Sequence, residues 1–452
     1  SWRSTLIICI SIPLSILAAI IALSALGQTI NIMTLSGFAL SIGILIDDAT
    51  VTIENINAHL EQGKDILAAI RDGAQQIVLP ALVSVLREGY EHVLTRVLAR
   101  PLRFASAFLA AALLSLPLVL ALGTDFFPAV DAGQIKLHVR ARGGLRVEET
   151  AALCDRIEAA VRGIVPESEI ATLVDNIGMP QSGLNLIYSN SGPTGSGDAD
   201  ILLTLKRGHG PTAAYVDRLR AELPSQFPGA DFAFLPADIV SQILNLGLPS
   251  PIDVQVIGNN LDANREVARR LLDRLRRIPG LVDLRIQQRF DRPQLMLHVD
   301  RDQARDIGLT QRQVAQDLLI NLSGSFQTAP TFWLNPANGV QYNVATQTPQ
   351  HRLASTGDVM ALPLGPDGAG ASRTLGQLAE LRFQTAPAVV SHHNVQPVLN
   401  LYGDVSGRDF GGAARELRAA VAAARADLPR GTRIELRGQL ETMQASFRGL
   451  LA

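Results

Sequence analysis

The chain has 452 residues, of which 47% are hydrophobic, and 40 basic side chains stand against 42 acidic ones for a formal net charge of −2. That length holds two or three domains, and the near-neutral charge excludes a general attraction to nucleic acid. The two cysteines, Cys9 in an apolar run and Cys154 in a predicted amphipathic helix, read as small buried hydrophobes and not as a disulfide pair.

Most of the apolarity lies before residue 123. Thr5 to Leu26 supplies about the twenty apolar residues that a helix needs to cross a bilayer. Pro13 within it is tolerated where neighbouring helices cover the freed backbone groups. Gly27 to Asn31 is a short polar link, and a second span is predicted over Met33 to Ile53. Inside that span stand two adjacent acids, Asp47 and Asp48. A carboxylate in hydrocarbon costs several kcal/mol, and two neighbouring ones raise each other's proton affinity. A pair in this setting has the chemistry of a proton-binding site. The bland alternative, a water-filled crevice or a helix end, fits their mid-span position poorly.

Consecutive helical residues diverge by about 100°, so the two carboxylates aim at different partners. Glu54 lies seven residues after Asp47 on nearly the same face, near the cytoplasmic end. It reads either as a proton entry point or as an interfacial acid that snorkels to water. Ile77 to Leu86 is apolar but too short to span, and it stops at Arg87. It is a re-entrant or interfacial segment, or the stub of a span. A third span is predicted over Phe104 to Leu122. Arg3, Lys64, Arg71, Arg87, Arg96, Arg100 and Arg103 flank the spans on one side, whereas the link at 27–31 has no basic residue. By the positive-inside rule that side is cytoplasmic, and everything after Gly123 lies outside the cytoplasm.

From Gly123 onward strand-like and helix-like patterns alternate. One unit runs through Gln134 to Arg142 (strand), Val147 to Ile164 (helix) and Glu169 to Asp175 (strand). Asp198 to Lys206, Thr212 to Phe227 and Asp231 to Leu235 continue it as strand, helix and strand. A further unit comprises Ile252 to Ile257, Leu261 to Ile278 and Leu281 to Ile286, and another Val398 to Tyr402, Phe410 to Leu428 and Thr432 to Arg437. Such units suggest split βαβ, ferredoxin-like subdomains. The stretch between them has a strand (Pro293 to Val299), two short helices (Arg301 to Ile307, Gln311 to Asn321) and further strands, so it reads as an insert.

Other chemistry is weakly signalled. The glycine-rich stretch Ser191 to Gly197, with Gly192, Gly195 and Gly197, lacks the Gly-Lys-Ser/Thr ending of a phosphate loop. His392 and His393 are adjacent in a predicted strand, point to opposite faces, and so do not jointly ligate a metal simply. No metal site and no hydrolytic constellation is predicted.

Gly43-Ile-Leu-Ile-Asp-Asp-Ala-Thr-Val-Thr-Ile-Glu-Asn55 resembles the fourth-span signature of the resistance–nodulation–division (RND) efflux permeases. Gly123-Thr-Asp-Phe-Phe-Pro128, with Asp131 and Gly133-Gln134, resembles that family's seventh-span exit. Val299-Asp-Arg-Asp-Gln-Ala-Arg-Asp-Ile-Gly-Leu309 resembles a motif of its docking subdomain. The resemblance implies α-helical transmembrane segments plus an α+β periplasmic domain of ferredoxin-like subdomains with an inserted docking subdomain. It places two spans in 1–57, a cytoplasmic segment with the stub 77–86 in 58–103, and a third span in 104–123. One porter subdomain then covers 131–238 and a second 239–287 with 388–437; docking covers 288–387, and a further span starts in 441–452.

The same resemblance implies a multi-pass protein of the bacterial inner membrane, a secondary active transporter and not an enzyme. Asp47 and Asp48 are its proton relay, driven by the proton-motive force without a bound cofactor. Its partners are a periplasmic adaptor and an outer-membrane channel, its assembly a homotrimer, and its cargo small hydrophobic or amphiphilic compounds. Members that export metals usually carry Asp at the position of Ile42 and Gly beside the retained aspartate, whereas this chain has a true Asp–Asp pair. Heavy-metal export is the alternative cargo, and a membrane-anchored, non-transporting interaction module the alternative of another class. By position Ser191 to Gly197 resembles a loop of the drug-binding region, although it lacks that loop's phenylalanines; a solvent-exposed turn is the other reading. The relay lysine of the family's C-terminal spans has no counterpart here, since no predicted span carries a lysine. This implies a fragment, an internally deleted product or an incomplete gene that does not pump alone.

Overall fold

The computed structural model describes residues 15–66, 68–70, 72, 103, 106, 109–110, 122–128, 130–180, 191–245, 247–365 and 373–451. Cys9, the start of the first predicted span, the stub 77–86 and nearly all of the third span lie outside them.

Two apolar helices come first. Ser15–Ala25 gives way to Gly27, whose φ of +66° is a left-handed value that glycine adopts without strain, while Gln28 N bonds back to Leu23 O at 2.9 Å. Asn31 caps the next helix, Ile32–Glu61. Its side-chain oxygen accepts from Met33 N and Thr34 N at 3.0 Å, and Thr34 Oγ1 accepts in return from Asn31 N at 2.9 Å. This reciprocal box satisfies donors that a helix start otherwise leaves open. The 30-residue helix is about 45 Å long, more than the ~30 Å hydrocarbon layer. Among the described residues it is the one helix long and apolar enough to cross a membrane.

The first sheet contains β1 (Gln134–Arg140), β2 (Ile170–Ile177), β3 (Asp198–Leu205) and β4 (Asp231–Leu235) in the order β2-β3-β1-β4, all pairs antiparallel. Strand alternation sends Ile135, Leu137 and Val139 to one face, where they pack with Cys154, Ile157 and Val161 of helix Val147–Ile164 and with Leu219 and Leu223 of helix Thr212–Gln226. Burial pushes the Cys154 thiol up to about 12, so the side chain acts as an inert hydrophobe.

A second sheet begins with β5 (Ile252–Ile257) and β6 (Leu281–Ile286), with helix Leu261–Leu275 between them. The chain then enters a separate compact unit, Arg289–Ala388, while Ser1–Gln288 and Val389–Ala452 form the other. In the smaller unit β7 (Arg292–Val299) pairs with β12 (Ala379–Ala386), β8 (Thr331–Leu334) with β9 (Gln341–Val344), and β10 (Pro363–Leu364) with β11 (Arg373–Thr374). Helices Arg301–Asp306 and Gln311–Ser323 belong to it too, and its core gathers Leu309, Val314, Leu364, Leu375 and Leu378.

Returning to the larger unit, β13 (Ser391–His393) and β14 (Gln396–Val405) precede helix Phe410–Arg425 and β15 (Arg433–Gly438). β14 pairs with β5 and β6, and β5 with β15, which gives the order β6-β14-β5-β15. This repeats the order of the first sheet, with the smaller unit inserted halfway through the second.

The helices depart from the sequence reading in several places: Ile32–Glu61 runs eight residues past the predicted Ile53, and Leu261–Leu275 and Phe410–Arg425 each stop three residues short of their predicted ends. A short helix, Ile239–Leu244, follows β4 where none is predicted; Asp238 caps it through Ser241 N at 2.9 Å. Its Ile239 and Ile243 are exposed, so no buried stripe announces it. The last helix begins at Gln439 and not at 441, because Gly438 at φ +87° ends β15 and Gln439 N bonds Pro251 O at 2.9 Å.

Candidate functional site

Asp47 and Asp48 lie midway along Ile32–Glu61, about 22 Å from its first residue. Both are exposed, and among the described residues neither has an ion-pair partner. None of the helix's apolar window is buried by protein; Leu40 is 69% and Ile44 54% exposed. A surface this apolar needs lipid or further helices around it. Three of its hydroxyls bond within the helix: Ser36, Thr50 and Thr52 donate to the carbonyls of Ile32, Ile46 and Asp48 at 2.7–2.8 Å. Glu54 shares the exposed setting two turns further on.

A second concentration of charge lies between the two sheets. Lys136, His138 and Arg140 occupy the face of β1 opposite its helices, and all three are buried. Across the register from β3, His138 Nδ1 meets Asp200 Oδ1 at 2.7 Å, Lys136 Nζ lies 3.5 Å from Asp200 Oδ2, and Arg140 Nε 3.4 Å from Asp198 Oδ1. Burial holds His138 below its ordinary imidazole range despite the Asp200 bond.

The second sheet closes over these groups. Arg140 Nη1 donates to Ile286 O at 3.1 Å, and Arg220 of helix Thr212–Gln226 forks onto Asp283 of β6 at 3.0 and 3.2 Å. Asp283 takes a left-handed φ of 55°, unusual outside glycine, and this turns its carboxylate to that fork. Arg285 stacks 5.4 Å over the Tyr402 ring. Burial pushes the Asp404 carboxyl up to about 6, helped by neighbouring Asp283 and opposed by the Val405 amide bond. In this seam the Arg220–Asp283 pair and the Arg140 bond to Ile286 O cross from one sheet region to the other, while the pairs of Asp198 and Asp200 stay within the first sheet.

The loop with Gly192, Gly195 and Gly197 lies at the edge of the seam. It is not a solvent-exposed turn, since Ser191, Thr194 and Gly197 are buried. Thr194 Oγ1 donates to Asp198 Oδ2 at 2.8 Å, and Gln287 Nε2 donates to Gly192 O at 2.7 Å. A Cβ on Gly192, at φ +61°, would lie 3.0 Å from that Gln287 nitrogen. The structure therefore joins the glycine loop to the seam, and separates both from the acids of Ile32–Glu61. His392 and His393 alternate in β13 as expected, and among the described residues no cluster of three or more metal-ligating side chains occurs.

Sequence reasoning missed the seam. Its signal was present as the alternation Lys136-x-His138-x-Arg140 against Asp198-x-Asp200, which looks like the wet face of a strand until a second sheet covers it.

The AcrB/AcrD/AcrF family matches residues 1–86 and 80–452, two stretches that overlap inside the apolar run Ile77 to Leu86. The nickel-cobalt-cadmium resistance protein NccA of Alcaligenes xylosoxydans xylosoxydans is 22% identical over 100% of this chain and 48% of its own length. The multidrug resistance protein MdtC of Klebsiella pneumoniae (strain 342) is 26% identical over 87% of this chain and 43% of its own. A solved heavy metal efflux pump (crystal form II), 23% identical, shares the fold with a TM-score of 0.67 over 100% of this chain and 49% of that one. The chain thus spans less than half the length of each of these relatives.

Proposed function

Because the chain belongs to the AcrB/AcrD/AcrF family, we propose that it is the proton-relay and porter portion of an RND efflux permease in the bacterial inner membrane. Proton entry at Asp47 and Asp48 drives the export of hydrophobic or amphiphilic compounds, as a secondary transporter and not an enzyme. One observation carries this reading: two adjacent carboxylates midway along an uncovered apolar helix. Loading a proton removes the cost of a charge in lipid, and releasing it restores that cost, so the helix has two electrostatic states to drive work. The two sheets act as split βαβ, ferredoxin-like porter subdomains and Arg289–Ala388 as the docking subdomain. Trimers, a periplasmic adaptor and an outer-membrane channel complete the assembly.

A second cargo reading, heavy-metal cations, is favoured by the names of NccA and the solved pump. The Asp–Asp pair and Ile42 support the amphiphile reading instead. Cells making the complete transporter are challenged with ethidium and with Ni2+. Protection from ethidium that Asp47→Asn or Asp48→Asn abolishes, with the protein still inserted and trimeric, is the expected outcome. Protection from Ni2+ alone transfers the relay to metal export. Unchanged protection in both variants removes the relay reading altogether.

A further inference from the structure

The segment Gly123 to Phe126 is gripped along both edges. On one side it forms a parallel bridge with the link before the relay helix: Ile30 N donates to Gly123 O and Asp125 N to Ile30 O at 2.9 Å, and Ile32 N donates to Phe126 O at 3.2 Å. On the other side it holds the start of helix Phe410–Arg425. Phe410 N donates to Asp125 Oδ1 and Gly411 N to Thr124 O, both at 2.7 Å. Asp409, the cap residue, accepts from Gly412 N at 2.7 Å and from Thr124 N at 3.1 Å through the same oxygen.

The first three donors of that helix are therefore satisfied, two of them by a segment some 285 residues away in sequence. Two carboxylates at its positive end add favourable charge–dipole energy. Contact is close because side chains are missing. A Cβ on Gly123 would lie 2.5 Å from Asp409 Cβ, and one on Gly411 would overlap Thr124 Oγ1. The helix also buries Phe410, Ala413, Ala414, Leu417 and Val421, and it packs against helix Leu261–Leu275 and β15 of the second sheet region.

We infer that this three-part joint is a rigid link that passes displacement of the Ile32–Glu61 helix to the second porter subdomain, with Asp409 and Asp125 as its positioning residues. The inference rests on the proton-coupled reading above. Backbone bonds join the relay helix to 123–126, and a backbone bond from Gly411 N to Thr124 O with the short carboxylate bonds of Asp125 and Asp409 joins 123–126 to the porter helix. A shift at one end has a contiguous path of short hydrogen bonds to the other.

The test uses the complete transporter in proteoliposomes, with an internal pH dye and whichever of ethidium or Ni2+ the unaltered protein exports. Asp409→Ala and Gly411→Ala, the second a steric wedge that spares both acids, are expected to lose compound-stimulated proton uptake while keeping basal uptake. Asp409→Asn, which retains an accepting oxygen, is expected to restore most of the stimulation. Full stimulation in both Asp409→Ala and Gly411→Ala, or stimulation in Asp409→Asn no higher than in Asp409→Ala, overturns the link. Asp48→Asn serves as the control: continued proton uptake there would defeat the relay reading itself, independently of the joint.

Discussion

Helix Ile32–Glu61 and the inter-sheet seam hold their carboxylates in opposite settings. Asp47 and Asp48 stand on a helix whose apolar window is uncovered, and among the described residues neither has an ion-pair partner. Asp198, Asp200 and Asp283 stand largely out of solvent, each 3.0–3.5 Å from a cation (Arg140, Lys136 and Arg220), and their charge is part of the packing. An acid that must gain and lose a proton is best kept out of a network of fixed partners. An acid that must hold two subdomains in register needs one. Removing charge should therefore abolish work in the first region and stability in the second.

The largest expected effect is functional. If the proposed relay holds, Asp47→Asn or Asp48→Asn should stop export and leave the melting of the two sheets unmoved, as followed by differential scanning calorimetry in detergent. A lowered melting transition would mean that the helix acids also serve structure. Next comes Arg220→Ala, which leaves Asp283, 3% exposed, without its fork. Breaking a buried pair from one side costs about 3 kcal/mol, so denaturant unfolding should show a loss of that order. An unchanged midpoint would mean that the seam is not held by this pair.

Asp404→Asn should act in the other direction. A carboxyl raised to about 6 in the fold contributes stability below its unfolded value near 4, and that contribution is lost as pH rises through about 6. The amide has no charge to bury, so the variant should be more stable by on the order of 1 kcal/mol at about pH 8. The difference should shrink toward pH 4, and a constant offset would remove Asp404 from the pH response. Smallest of all is Thr52→Val. Its hydroxyl serves only its own helix, at Asp48 O, so stability should stay within about 0.5 kcal/mol of the parent.

Legibility follows the same division. The Asp–Asp pair is visible in sequence because an acid inside an apolar run is a one-dimensional anomaly. Helix Val147–Ile164, β4 and β5 agree with their predicted limits because periodicity and the breakers around them coincide. The seam is not visible, since Arg140 meets Ile286 only after the chain has built two sheets. Ile239–Leu244 escapes notice for a different reason: its apolar residues face outward, and hydrophobic pattern reports burial, not helicity. The glycine loop shows flexible composition in sequence, yet Gln287 and Asp198 hold it through bonds that no local pattern encodes.

Where the inserted unit begins and ends, β7 and β12 run side by side from Arg292 opposite Ala386, and Ala388 N donates to Arg289 O at 2.9 Å. On the host side Gln288 Nε2 donates to Ser391 Oγ at 3.0 Å. Entry and exit strands thus meet at a narrow doorway, and the host chain closes its own side of it. A unit tied in at so narrow a doorway can be enlarged, trimmed or exchanged without rebuilding the sheet on either side of it.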